Sequence, residues 1–297
     1  MPMPHILIIH NPISGGDGSS LMVKRTANRL KKLGYGVSYY ATQSAGDATR
    51  YLREFEGVLD IVAAAGGDGL IGEVVNGLSE RGGDEYRLAI IPTGTTNVLA
   101  RELGIKFSSR FAARTIHGGK LKPIYPAQIN GRRFMLMAGV GFDAWVVSGV
   151  NLKIKKNWGK VAYVLAMLRH LKLIGSKQYE VIADGQTLLA DSVMVCNGRF
   201  YGGSYKLSEH ADLSSSSLQV MTLSGISQLG FMLRLLVLPY GVFARTPGVH
   251  ELRATSVTIR DLNPSAHPEP VQADGDAVGF LPLEITSATQ AIRVMVP

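Results

Sequence analysis

The residues best suited to chemistry lie in three glycine-rich stretches, each of which follows an apolar run. In Gly66-Gly67-Asp68-Gly69 three glycines surround one carboxylate. Glycines let a backbone come close to phosphate and present N–H groups to it. A carboxylate in such a loop repels phosphate unless a cation lies between, so Asp68 points to Mg²⁺. The second stretch, Pro92-Thr93-Gly94-Thr95-Thr96-Asn97, offers Thr95 and Thr96 as helix caps or phosphate contacts, with Asn97 in the first helical turn. The third, Asn11-Pro12-Ile13-Ser14-Gly15-Gly16, has the same setting. Each alone also reads as an ordinary strand-to-helix turn. Three from one sheet edge are harder to dismiss. The G-x-x-x-x-G-K-[ST] pattern of a P-loop does not occur.

Elements that place these loops are legible around them. "HILII" at 5–9, "GVSYYAT", "DIVAAAGG" and "YRLAIIPTG" read as strands. Between them, "LMVKRTANRLKKL", "SAGDATRYLREF" and "LIGEVVNGL" have helical spacing, with Ser44 as the expected cap of the second helix. Alternating strands and helices over the first ~105 residues predict an open, doubly wound parallel sheet. In such sheets ligands sit at the carboxy ends of the strands, where all three loops fall.

From about Pro123 the pattern becomes short alternating segments with turn pairs at Asn130-Gly131, Asp184-Gly185 and Asp274-Gly275. Helical character is expected mainly at 158–173 and 226–238. The second half therefore predicts an antiparallel β domain.

Composition narrows the setting. Apolar residues are 46% and charged residues 18% of the chain, which places it among folded globular proteins. A net charge of +8 suits an anionic partner such as a nucleotide or an anionic lipid surface. Cys196 is the single cysteine, so no internal disulfide or cysteine zinc site forms, and it reads as a small core residue. The start of the chain lacks a signal-peptide pattern, and a cytoplasmic protein is expected. "LGFMLRLLVLPYGVFA" from Leu229 is interrupted by Arg234 and Pro239 and is too short to span a membrane. It reads as a core helix first, and as a helix lying in a membrane surface second.

Taken in order, these motifs resemble the bacterial lipid kinases with a diacylglycerol kinase catalytic domain, which are related to sphingosine and ceramide kinases. "NPISG", "GGDGLIGEVVNGL" and "PTGTTNVLAREL" carry the resemblance in the first half. "RRFMLMAGVGFDAWVV", "GKVAYVLAML", "VCNGRFYGGSYKLSEHADL" and "DGDAVG" carry it in the second. The resemblance implies an ATP-binding α/β domain at 1–124 and a β-sandwich domain at 125–297 that contributes the catalytic base and the lipid entrance. The last strand is allowed to return to the first domain, and ATP is held between the two. It further implies that Asn11, Ser14, Gly15, Thr42, Gly66, Gly67, Asp68, Gly69 and Thr95 line the nucleotide site, supported by Glu73 and Asn97. The family's base, a glutamate, falls on Asp276, with Asp274 beside it. Read without the resemblance, "ADGDAV" is an ordinary hairpin turn.

Several positions depart from the family pattern. Leu70 replaces a threonine and Gly72 an asparagine. Asp276 is one methylene shorter than glutamate, a shift of order 1 Å that costs ~10²-fold in rate if uncompensated. Ser216 stands near a usual aspartate that, with main-chain oxygens near Leu213 and Leu218, holds a structural Mg²⁺, so that metal is not expected here. Tyr125 likewise replaces an aspartate.

The expected function is ATP- and Mg²⁺-dependent phosphorylation of a lipid hydroxyl at a membrane surface. Anionic phospholipid is the expected partner of the lysines and Trp158 within 151–160, and a homodimer is compatible with the sequence. The alternatives are a catalytically impaired nucleotide- or lipid-binding regulator and an NAD kinase. Nucleic acid is not expected as a partner, since no recognised module occurs.

Overall fold

The computed structural model describes residues 4–12, 16–82, 85–149, 170, 174–225, 227–264 and 267–297. The chain forms two compact units. Unit 1 comprises Met1–Pro126 with Thr289–Pro297, and unit 2 comprises Ala127–Ala288.

Unit 1 is built on strands β1 (His5–His10), β2 (Gly36–Ala41), β3 (Ile61–Gly66) and β4 (Arg87–Pro92), all parallel. Two more join from further along the chain, β5 (Lys120–Ile124) and β20 (Ile292–Val296). The sheet order is β2-β1-β3-β4-β20-β5, with β20 parallel to β4 and antiparallel to β5. β3 is buried at every residue, as the near-continuous apolar run of a central parallel strand demands. Helix α1 (Gly16–Lys32) lays Met22, Val23, Ala27 and Leu30 on Ile6, Ile8, Ile61 and Ala63 of the sheet.

Helices α2 (Asp47–Glu54) and α3 (Asp68–Ser79) meet closely at Gly77, where a Cβ would lie 2.8 Å from the Leu52 Cβ. Ser44 does not cap α2. The N-cap is Gly46, at φ 80°, and the first-turn donor Ala48 N–H is taken at 3.2 Å by the Glu73 carboxylate of α3. A tertiary acceptor has replaced the local one. Two short helices, α4 (Val98–Glu102) and α5 (Ser109–Gly118), follow β4.

Unit 2 is a sandwich of two six-stranded antiparallel sheets, with a separate two-stranded ribbon of β12 (Phe200–Tyr201) and β13 (Tyr205–Lys206). One has the order β10-β9-β16-β19-β6-β7, from β10 (Gln186–Ala190), β9 (Tyr179–Ala183), β16 (Ser256–Asp261), β19 (Leu283–Thr286), β6 (Ala127–Ile129) and β7 (Arg132–Phe134). The other has the order β15-β14-β11-β8-β17-β18, from β15 (Val249–Ala254), β14 (Leu218–Leu223), β11 (Ser192–Cys196), β8 (Met137–Val140), β17 (Pro270–Ala273) and β18 (Asp276–Phe280). Ile129, Phe134, Val257 and Ile285 of the first sheet pack on Val140, Val193, Val220 and Val271 of the second. Cys196 is buried among apolar neighbours.

All three predicted turn pairs close hairpins with both residues left-handed. Their φ values are 45° and 85° at Asn130-Gly131, 44° and 85° at Asp184-Gly185, and 51° and 85° at Asp274-Gly275. That is the two-residue turn whose twist matches the flanking strands.

Helix α6 (Phe142–Ser148) follows β8, and α7 (Gln228–Val237) follows β14. The core reading of α7 fails. Phe231 is its one buried residue and sits against Phe142 with ring centroids 4.7 Å apart, whereas Leu229, Met232, Leu233 and Leu236 are exposed. A helix that is apolar on most sides but lies on the outside of a unit buries just the stripe that faces inward. The predicted helix at 158–173 and the basic segment at 151–160 fall outside the described residues, His170 excepted.

Candidate active site

Because β1 to β4 run parallel, their carboxy ends share one edge of unit 1. There β3 and β4 stand side by side, with Gly66 opposite Pro92 and the Thr93 N–H donating to the Gly66 carbonyl at 3.1 Å. Beyond them the two loops touch through glycine. A Cβ on Gly94 would lie 2.4 Å from the Gly67 Cα, and one on Gly67 would lie 3.3 Å from the Gly94 Cα. Any side chain at position 94 would push the loops apart.

Asp68 fastens this contact. Its Oδ2 accepts from the Val98 N–H at 3.0 Å and its Oδ1 from the Leu99 N–H at 2.9 Å. The carboxylate thus performs for α4 the capping that the sequence assigned to Thr95 or Thr96. Asn97 is the N-cap, at φ 48°, and closes its own loop: its Oδ1 accepts from the Gly94 N–H at 2.9 Å and its Nδ2 donates to the Gly94 carbonyl at 2.7 Å. Thr95 is exposed. Burial pushes the Asp68 pKa up, opposed by the Leu99 and Val98 N–H groups.

Leu70 has a definite place. A Cβ on Gly66 would come within 2.5 Å of the Leu70 Cδ2, so the leucine folds back into the space the glycine leaves. Gly72, by contrast, faces nothing within 4 Å.

The other predicted residues divide between this edge and structural tasks. Asn11 follows β1, and Thr42 follows β2 with its N–H donating to the His10 carbonyl at 2.9 Å. Gly69 lies in the first turn of α3. Glu73 caps α2, as above, and its carbonyl accepts from the Thr49 hydroxyl at 2.8 Å. Ser14 and Gly15 lie outside the described residues. Glycine-rich loops beside one carboxylate with acceptor capacity left on both oxygens fit a Mg²⁺ that draws its remaining ligands from phosphates and water.

In unit 2 the two aspartates of the β17–β18 turn have different surroundings. Asp274 is clamped: Oδ2 accepts from the Met135 N–H at 2.7 Å, and Oδ1 from the Leu136 and Met137 N–H groups at 2.8 and 3.1 Å. Asp184, the first residue of another such turn, holds the Thr255 and Ser256 N–H groups at 2.9 and 2.8 Å in the same manner. Asp276 is exposed at the start of β18. Of the pair, Asp276 is the one left open to solvent.

The segment expected to lack a structural metal shows a different arrangement. The Ser215 and Ser217 hydroxyls share a 2.8 Å hydrogen bond, and the Arg253 Nε donates to the Ser217 Oγ at 2.8 Å. The hydroxyl next to Ser216 is thus taken by a guanidinium, a neighbour that does not favour a cation. Among the described residues no group of three or more His, Cys, Asp or Glu side chains converges as metal ligands.

The sequence reading passed over a buried polar cluster beside the β17–β18 turn. Asp143 of α6 accepts from the Gln272 Nε2 at 2.7 Å and from the Tyr201 hydroxyl. Burial pushes its pKa up, against both hydrogen bonds. Two residues on, the Trp145 Nε1 donates to the Glu269 Oε2 at 2.8 Å, which also accepts from the Tyr179 hydroxyl at 2.8 Å, while the Lys177 Nζ lies 2.8 Å from Oε1. The available signal was a charged residue directly after Gly139-Val140-Gly141-Phe142, inside an otherwise apolar run.

Comparison with known proteins agrees along the whole chain. Residues 5–129 match the diacylglycerol kinase catalytic domain, and residues 137–296 match the YegS C-terminal NAD kinase beta sandwich-like domain. A diacylglycerol kinase of Bacillus subtilis (strain 168) is 31% identical over 303 residues, covering 99% of this chain and 97% of that protein. One from Staphylococcus carnosus (strain TM300) is 28% identical, covering 98% and 94%. A crystal structure of a diacylglycerol kinase from Bacillus anthracis str. Sterne has the same fold, with a TM-score of 0.73 at 21% identity over 100% of this chain and 98% of that one. With its glycine loops, its sandwich and this correspondence along its full length, the chain belongs to the diacylglycerol kinase catalytic domain family.

Proposed function

We propose that the protein is an ATP-dependent lipid kinase that transfers the γ-phosphoryl group to a hydroxyl of a diacylglycerol-like acceptor. The observation that carries this reading is the locked pair of glycine loops at the ends of β3 and β4, in a chain that belongs to this family. Phosphoryl transfer needs positioning and charge neutralisation, plus a group to take the acceptor's proton. Gly67 and Gly94 keep side chains away from the phosphates. Asp68 holds the α4 loop in register and offers its remaining acceptor capacity toward Mg²⁺. That ion, when bound with the nucleotide, supplies the charge neutralisation. Asp276 takes the proton from the acceptor hydroxyl, and Asp274 fixes the turn that carries it.

The acceptor is reached at a membrane surface. Supporting this, Leu229, Leu233, Leu236 and Tyr240 stand exposed on and just after α7, and the chain carries a net charge of +8. Apolar side chains on a cationic protein suit an anionic bilayer. No helix among the described residues is long and apolar enough to cross one.

The test is transfer of labelled γ-phosphate from Mg-ATP to dioctanoylglycerol in phosphatidylglycerol vesicles and to a total bacterial lipid extract. Label in a lipid that disappears with Asp68→Ala and with Asp276→Asn supports the reading. Label on added NAD instead would make this an NAD kinase. ATP binding with no transfer to either acceptor would make it a regulator that retains the fold.

A further inference from the structure

We propose that Asp143 is a positioning residue: acting through the Gln272 side chain, it sets the geometry of the turn that carries Asp276. The inference rests on Asp276 serving as the base.

Gln272 lies on β17, two residues before the turn, and both ends of its amide are used. Nε2 donates to the Asp143 Oδ2 at 2.7 Å, and Oε1 accepts from the Gly275 N–H at 3.0 Å. Gly275 separates Asp274 from Asp276. An amide is nearly symmetric in shape, so something must decide which end faces which way. Asp143 decides it. Its Oδ2 accepts from the NH₂ end, and the carbonyl end is left for the Gly275 N–H. The turn is then held on two sides, by Gln272 at Gly275 and by the Met135–Met137 amides at Asp274.

The surroundings are built for this contact. Gly139 of β8 stands opposite Gln272 in the sheet, and a Cβ there would lie 2.6 Å from the Asp143 Oδ2 and 2.9 Å from the Gln272 Nε2. Gly139 is the slot through which the two side chains meet. Gly141, at φ +89°, turns the chain from β8 into α6 so that Asp143 follows within the first turn. Tyr201 takes the other carboxylate oxygen, and Trp145 ties the same helix to Glu269 immediately before β17. On the far side, the β17–β18 pairing shifts register between Val271 and Gln272, whose partners are Gly279 and Ala277, so β18 bulges at Val278 opposite the point where the amide leaves β17. Two apolar side chains would fill this space at a smaller desolvation penalty. A polar pair specifies one geometry, and here that geometry ends on Gly275.

The experiment measures kcat and the KM for ATP with dioctanoylglycerol in phosphatidylglycerol vesicles. It uses the full chain, Gln272→Met, Asp143→Leu, Asp143→Asn and Asp276→Asn, with near-UV circular dichroism to confirm folding. Gln272→Met is expected to lower kcat about 10²-fold, the effect of a displacement near 1 Å, with the KM for ATP within about 2-fold. Asp143→Leu should match it. Asp143→Asn, which still offers Gln272 an oxygen and whose NH₂ can donate to the Tyr201 hydroxyl oxygen, should restore kcat to within about 3-fold of wild type. If Asp143→Leu does not fold, Gln272→Met and Asp143→Asn decide the matter. A folded Gln272→Met enzyme with wild-type kcat, alongside an inactive Asp276→Asn, overturns the positioning role and leaves the base assignment standing. Full activity in Asp276→Asn overturns both.

Discussion

At the scale of single residues, the two aspartates of one turn separate a structural task from a chemical one. Asp274 accepts three main-chain N–H groups, and hydrogen bonds to a charged acceptor contribute ~1.5–3 kcal/mol each. Asp274→Asn is therefore expected to lower unfolding free energy in urea by about 2 kcal/mol. Asp276→Asn, at an exposed position, should leave the urea midpoint unchanged and remove at least ~10²-fold of the transfer rate. The opposite pattern would assign the base to Asp274. Asp143 makes a prediction about pH. Burial raises its folded-state pKa above the unfolded value, so the folded chain holds that proton more tightly. Its contribution is fully present below the unfolded carboxylate pKa and is lost as pH rises through the raised folded value. Asparagine does not titrate. The thermal midpoint of Asp143→Asn relative to wild type should rise between pH 4 and pH 8; a constant or falling difference would refute the assignment.

At the scale of elements, glycines of similar appearance in sequence have unlike tasks. Gly94 permits the β3 and β4 loops to touch, and Gly94→Ala would place a methyl 2.4 Å from the Gly67 Cα. Weakened binding of a fluorescent ATP analogue, by ~10-fold or more, is expected. Gly72 lies inside α3 with open space around its Cα, where glycine costs a helix ~0.5–1 kcal/mol relative to alanine. Gly72→Ala should raise the urea midpoint and leave nucleotide affinity unchanged. Equal losses in both variants would show that neither position is specific to the nucleotide loops. The helix caps carry a related lesson. Ser44 and Thr95 suited local capping by residue type, yet Glu73 and Asp68, reaching across from α3, took those N–H groups instead.

At the scale of the molecule, the last strand belongs with the first unit. β20 lies between β4 and β5, with Ile292 and Val294 buried. Ending the chain at Ala288 would strip the pairing partner from both neighbours and open that side of the sheet. Such a protein should lose ATP-analogue binding and become sensitive to proteolysis within residues 5–124. Binding retained at wild-type affinity would show that β20 is dispensable.

Much of this architecture follows from the sequence by itself, because it depends on local chemistry. The parallel strands are continuous apolar runs, the hairpins are marked by Asn-Gly and Asp-Gly pairs that tolerate left-handed backbone, and the glycine loops fall where strands end. The order of motifs was enough to indicate the family. Only the tertiary structure decided where carboxylates and amides find partners, since those lie far apart along the chain. Asp68 meets α4 about 30 residues on, Asp274 meets residues nearly 140 earlier, and Asp143 meets Gln272 across a gap of 129 residues. It also decided that α7 would keep its leucines exposed, because a helix's periodicity states which face is apolar and not whether anything lies against it.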